Sequence, residues 1–169
     1  LRILREEIVP RENDALMAYF DETPKAAELF REMGSDQNIL TYALNFRTAD
    51  GWNTDVDLMN DLNDRIYTAL SISTFDGGVV PRNPMFVTAS EFEPEVYGQG
   101  FVDAYGARAG LAPTKGTAIK FLVSTTQDPW VTATETGNFL PYIVKALKLT
   151  ALKAAQDLIK EHGLVPFRA

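Results

Sequence analysis

From residue 39 to residue 47 the chain alternates, with Leu40, Tyr42, Leu44 and Phe46 on one side and Thr41, Ala43, Asn45 and Arg47 on the other, until Asp50-Gly51 turns it. A period of two marks a strand with one face on a core. The stretch 117–130 repeats the pattern, setting Ile119, Phe121, Val123 and Thr125 against Lys120, Leu122 and Ser124, and stops at Pro129-Trp130. Met85 to Phe92 reads as the remaining strand.

Between the strands the period lengthens to that of a helix. Leu58, Leu62, Ile66 and Leu70 recur at helical spacing behind Thr54 and Asp57, a carboxylate form of the capping box, and predict a helix over about 55 to 70. Pro94 opens a second helix that runs to about Ala109, before Gly110 and Pro113. A third begins at Asn138 with Pro141 in its first turn and presents Phe139, Ile143, Val144, Leu147, Ala151, Ala154, Leu158 and Ile159. It lasts about 24 residues, or roughly 36 Å, to Gly163. Ahead of these lie two short helical patterns on either side of Pro10, with Leu4, Ile8, Leu16, Met17 and Phe20 but no core of their own. A helix from Thr23-Pro24 follows, closing at Gly34.

The order predicts an α+β fold: a small antiparallel sheet of about three strands covered on one face by helices, preceded by an N-terminal helical segment. The division is a lead-in over 1–36 and a folded domain over 37–169. Gly77-Gly78, with Pro81 and Pro84, marks a loop.

Composition narrows the function classes more than it names one. With 46% hydrophobic and 23% charged residues the chain is that of an ordinary folded protein. At 169 residues it can bury roughly 70% of its unfolded surface. A net charge of -7 without a Lys/Arg cluster argues against nucleic acid or an anionic membrane as partner. The absence of cysteine removes disulfides, thiolate nucleophiles and cysteine-bound metals, and fits a reducing compartment. No signal pattern, long apolar span or Asn-x-Ser/Thr acceptor is present, so the cytoplasm is the expected location. The chain opens on Leu1 within structured sequence, which reads as a piece of something longer.

Candidate chemistry is sparse. His162 is the single histidine, which excludes a His-paired nucleophile or a multi-His metal site within the chain and suits it to the helix dipole at a C-terminus. Asp55, Asp57, Asp61 and Asp64, with Asn60 and Asn63 between them, lack the glycine and closing glutamate of a calcium loop and read as a solvated helix face. Thr114-Lys-Gly-Thr117 has the letters of a phosphate loop without its order or spacing. Asp76-Gly77-Gly78 reads as a turn before it reads as an anion nest. Trp52 and Trp130 end strands, where a large ring either lines a pocket or interface or packs in the core.

Three runs carry a resemblance. Ile39-Leu-Thr-Tyr-Ala-Leu-Asn-Phe46, Trp52-Asn-Thr-Asp55 and Leu62-Asn-Asp-Arg-Ile-Tyr67 resemble the C-terminal domain of the group II pyridoxal-phosphate-dependent amino-acid decarboxylases. These are the glutamate, aromatic amino acid and tyrosine decarboxylases, the last in their fungal and bacterial forms. Pro84-Met-Phe-Val-Thr88, Tyr97-Gly98 and Asp128-Pro-Trp130 extend the similarity over nearly the whole chain. The resemblance implies a lyase that works as a homodimer. A large domain or chain of the same enzyme, not this one, would hold pyridoxal phosphate through a His-x-Lys lysine. None of the six lysines between Lys115 and Lys160 sits in that pattern. The present residues would complete the cleft and the dimer, with no catalytic or cofactor-binding residue of their own.

One departure bears on substrate. Where many members of that family carry an arginine that forks onto the substrate carboxylate, Val123 stands here. On this alignment Val123, Ser124, Gln127, Asp128 and Trp130 are the residues nearest the substrate. The alternative reading is a non-catalytic α+β module that binds a protein or a small ligand, and the fold by itself does not choose between the two.

Overall fold

Three of the alternating runs pair into one antiparallel sheet, and the run with the most buried side chains takes its centre. The strands are β1 (Ile39–Tyr42), β2 (Arg47–Thr48), β3 (Gly51–Trp52), β4 (Thr88–Phe92) and β5 (Ile119–Thr125). Sheet order is β1-β5-β4, with β2 and β3 as a separate hairpin. The helices are α1 (Asn13–Glu22), α2 (Pro24–Glu32), α3 (Val56–Leu70), α4 (Pro94–Tyr97), α5 (Gln99–Arg108) and α6 (Leu140–Glu161). The computed structural model describes residues 2–32, 39–72, 85–125, 131 and 134–167. The expected loop at Gly77-Gly78 lies outside them, as do Gly34 and Pro129-Trp130.

The chain divides into two compact units, Leu1–Asn38 with Thr126–Pro141 and Ile39–Thr125 with Tyr142–Ala169. In the first, a single π-helical turn at Leu4–Ile8 precedes α1 and α2. Here Ile8 and Ala26 are buried and the rings of Phe20 and Phe30 lie 5.2 Å apart. Met17 is exposed, as an apolar residue without a partner in its own helix would be.

The second unit is the α+β fold that the pattern predicts. Leu122 sits opposite Tyr42 on one side and Ala89 on the other. It joins Leu62, Ile66 and Leu70 of α3 and Ala154 and Leu158 of α6 in the main core. A second cluster gathers Ile119 with Met59, Val102 and Leu111. Phe92 and Tyr105 pack against this second cluster, and Phe92 stacks on Phe121 at 4.1 Å and meets Tyr97, Phe101 and Tyr105 edge-on. Each such pair adds about 0.5–1.5 kcal/mol beyond the area it buries.

The structure departs from the pattern at three places, each for a local reason. The strand predicted to reach Arg47 ends at Tyr42, because the main chain of Leu44 bonds to a side chain instead of a strand. The cap of α3 is Asp55 and not Thr54: its carboxylate accepts from the N–H groups of Asp57 and Leu58, at 2.8 and 3.4 Å. The helix predicted from Pro94 to Ala109 breaks in two at Gly98, whose φ of +83° lies where residues with a Cβ are strained. Farther on, Gly106 allows α5 to approach β5, since a Cβ there would stand 3.1 Å from the Ile119 methyl.

Candidate functional site

α3 is fastened to the sheet by two asparagines one turn apart. Asn63, fully buried, accepts from the N–H of Leu44 at 2.9 Å and donates to the carbonyls of Leu44 and Met59 at 2.8 and 2.7 Å. Its amide thus serves the chain as a neighbouring strand would. Asn60 does the same for β5, accepting from Lys120 N–H and donating to the Ala118 carbonyl, both at 2.8 Å. A third pair, Asn45 and Asn53, bonds side chain to side chain at 3.0 Å and ties the hairpin to the end of α5 through the Ala109 carbonyl. Sequence reasoning placed Asn60 and Asn63 on a solvated face. The available signal was Asn63 itself, three residues before Ile66 and four after Met59, inside the apolar stripe.

Two acids of α3, Asp61 and Asp64, are likewise spoken for. Arg65 forks onto Asp61 at 2.9 and 3.0 Å and onto Glu161 of α6 at 2.6 and 3.1 Å. The hydrogen bonds to Glu161 and Asp61 hold the guanidinium above its usual pKa, and the bond from Arg65 in turn holds Glu161 low. Lys120 reaches Asp64 at 2.7 Å and Glu91 at 3.7 Å, and the bond to Asp64 raises its pKa. His162, just past α6, donates its N–H to the Leu158 carbonyl and places Nε2 3.9 Å from Asp61. Asp103 accepts from Thr114 N–H, Thr114 Oγ1 and Gln99, the first of which does most to depress its pKa. Between Thr114 and Thr117, Lys115 and Gly116 both have positive φ and form a tight turn. Among the described residues no cluster of three or more His, Asp or Glu is arranged for a metal.

Of the residues placed near a substrate by alignment, two are described. Val123 is half-buried at the centre of the sheet, opposite Thr41 and Thr88, and lines a cavity of about 420 Å³ with Tyr67, Phe86, Thr88 and Thr125. It belongs to neither core cluster. Ser124, on the opposite side of the strand, shares a 2.7 Å hydrogen bond with the Tyr42 hydroxyl. Gln127, Asp128 and Trp130 lie outside the described residues.

A larger cavity, about 670 Å³, runs along α6. Its floor is Leu62, Leu147, Ala151 and Ile159, and its far wall is the segment 44–47 with Trp52. The last residues close one side: Ala49 N–H bonds to the Val165 carbonyl at 2.8 Å, and Thr48 bridges to Pro166, bringing Phe167 to the groove. The Arg47 guanidinium lies over the rings of Phe167 and Trp52, 4.2 and 5.6 Å from their centroids. Trp52, expected at a pocket, at an interface or in the core, lines the groove and is 59% exposed, so it is outside the core.

Pyridoxal phosphate requires an amine able to lose its proton and a carboxylate facing the pyridine nitrogen. Lys120 is held protonated by Asp64, and the groove that carries Lys148 has no acid among its described lining residues. Neither of these two lysines fits the cofactor. Among them no helix is long and apolar enough to cross a membrane. A scan of the chain against protein-family models finds no match, and neither does a search of curated proteins.

Proposed function

We propose that this chain is the C-terminal domain of a pyridoxal-phosphate-dependent amino-acid decarboxylase, a carboxy-lyase of the cytoplasm that acts as a homodimer. A large domain or chain of the same enzyme binds the cofactor and carries out the chemistry. The present domain closes the cleft and supports the dimer. The observation that supports this reading is that the three runs most similar to that family form one connected layer. Asn63 of the run 62–67 bonds to Leu44 of the run 39–46, and Asn53 of the run 52–55 bonds to Asn45 of the run 39–46. Residues that resemble a family by sequence are here the residues that join strand, hairpin and helix.

In this reading the end of β5 near Val123 faces the substrate. With valine there, the α-carboxylate is anchored from the other domain. The second reading, a ligand-binding module, draws on the 670 Å³ groove, whose size lies in the range of about 300–1,000 Å³ usual for small-molecule sites.

Native protein purified from its source and weighed intact tests the proposal. The decarboxylase reading expects these residues within a polypeptide well above 18.8 kDa, or in tight complex with a second one, and a visible chromophore in the preparation. A colourless 18.8 kDa protein with no co-purifying chain would overturn it.

A further inference from the structure

The chain carries 23 acids against 16 Lys and Arg, yet the described lining of the α6 groove includes two cations, Arg47 and Lys148, and no acid. Among the described residues neither cation has an ion pair. The rest of the lining is mostly apolar. From this we infer that the groove binds a medium-chain fatty-acid anion, with its alkyl chain along α6 and its carboxylate held by Arg47 and Lys148. The inference goes beyond the proposed decarboxylase role and does not depend on it.

Shape, charge and preorganisation argue for this occupant. Val144, Lys148, Leu152 and Gln156 line the groove at intervals of four residues, so the helical wall extends over roughly 18 Å. An unbranched chain fills such a trough better than a compact ring system. Apolar lining rewards each buried methylene with about 0.8 kcal/mol, and a carboxylate head supplies a counter-charge for two cations that have none among the described residues. Arg47 already lies over Phe167 and Trp52. The guanidinium's planar donors match a carboxylate fork, and the two rings already restrict the side chain that would engage it.

The 169-residue chain is titrated with decanoate, decan-1-ol and decyltrimethylammonium, each below its micellar concentration, by calorimetry and by tryptophan fluorescence. Decanoate is expected to bind at one site per chain at least tenfold more tightly than decan-1-ol, since a hydrogen bond to a charged group is worth about that factor. The cationic analogue should bind most weakly of the three. Arg47→Gln and Lys148→Gln should each weaken decanoate about tenfold, leave decan-1-ol unchanged, and reduce the loss of decanoate affinity on adding salt. Lys148 is exposed, so its substitution separates a binding defect from a folding defect should Arg47→Gln unfold. Equal affinity for decanoate and decan-1-ol, no saturable decanoate binding, or self-association through α6 that decanoate does not displace would each overturn the inference.

Discussion

α3 and α6 pack into the same core, but they use the rest of their surfaces in opposite ways. On α3 the polar side chains are committed within the molecule: Asn60 and Asn63 to main-chain groups, Asp61 and Asp64 to Arg65 and Lys120. On α6 the inward residues Ala154 and Leu158 are buried, while Tyr142, Val144, Leu149 and Leu152 are exposed and Lys148 has no ion pair among the described residues. A helix whose hydrogen-bonding groups are consumed internally is a scaffold. One that leaves apolar residues in water offers a surface for recognition. The contrast makes α3 the helix that specifies the fold and α6 the helix with an open surface, where the proposed site lies.

The contrast can be broken by mutation, beginning with the core of α3. Ile66→Ala should cost about 3–4 kcal/mol in denaturant unfolding, from lost transfer energy and a cavity at a fully buried site. Asn63→Leu comes next, at about 2–3 kcal/mol, because it strips the N–H and carbonyl of Leu44 of their partners while keeping the volume. If that variant were as stable as the parent, the main chain at residues 43–46 would be held by something other than the asparagine.

Val123→Arg probes the sheet centre. The residue is half-buried beside a cavity, so the longer side chain should lower stability by about 1–2 kcal/mol. On the decarboxylase reading it should also tighten binding of an amino acid with a free α-carboxylate by about tenfold once the large domain is present. A lower thermal midpoint with unchanged affinity would remove Val123 from the substrate site.

Acid tests the polar junction at Asp103. Its folded pKa is depressed, so its contribution to stability is present above the unfolded value of about 3.9 and is lost as pH falls through the lower folded value. The thermal midpoint should therefore fall on the acid side of about pH 4, and Asp103→Asn should flatten that decline. An unaltered acid limb in the variant would show that other carboxylates govern it. The smallest effect is expected on the outer face of α6, where Leu149→Ala should change stability by no more than about 0.5 kcal/mol, since Leu149 is 58% exposed.

Periodicity revealed the sheet and the long helices because burial of one face is what it records. Ile66 and Leu158 are core residues at positions that the apolar spacing marks, whereas Leu122, which the alternation sets on the face opposite Ile119, Phe121 and Val123, is fully buried in the main core. Polar residues that work inside the fold leave no such trace. Asn63 reads as solvated even though it occupies the buried stripe, and Asn45 reads as one of the residues opposite the apolar side of a strand. The early end of β1 was illegible for the same reason: Leu44 and Phe46 continue the alternation, while the partner of the backbone has changed from a strand to an amide. Gly98 was a missed signal, a glycine between Tyr97 and Gln99 that marks the break between α4 and α5. The α6 groove was not foreseen at all, because Arg47, Trp52, Lys148 and Phe167 meet only after the chain has folded.

Borohydride reduction of the native protein followed by peptide mapping tests the decarboxylase account most directly. Reduction fixes pyridoxal phosphate to the lysine that holds it. The account predicts a stoichiometric adduct on a peptide outside these 169 residues and none on Lys120, Lys148 or the other lysines of the chain. A stoichiometric adduct within the chain, or native protein that yields no adduct anywhere, would contradict it.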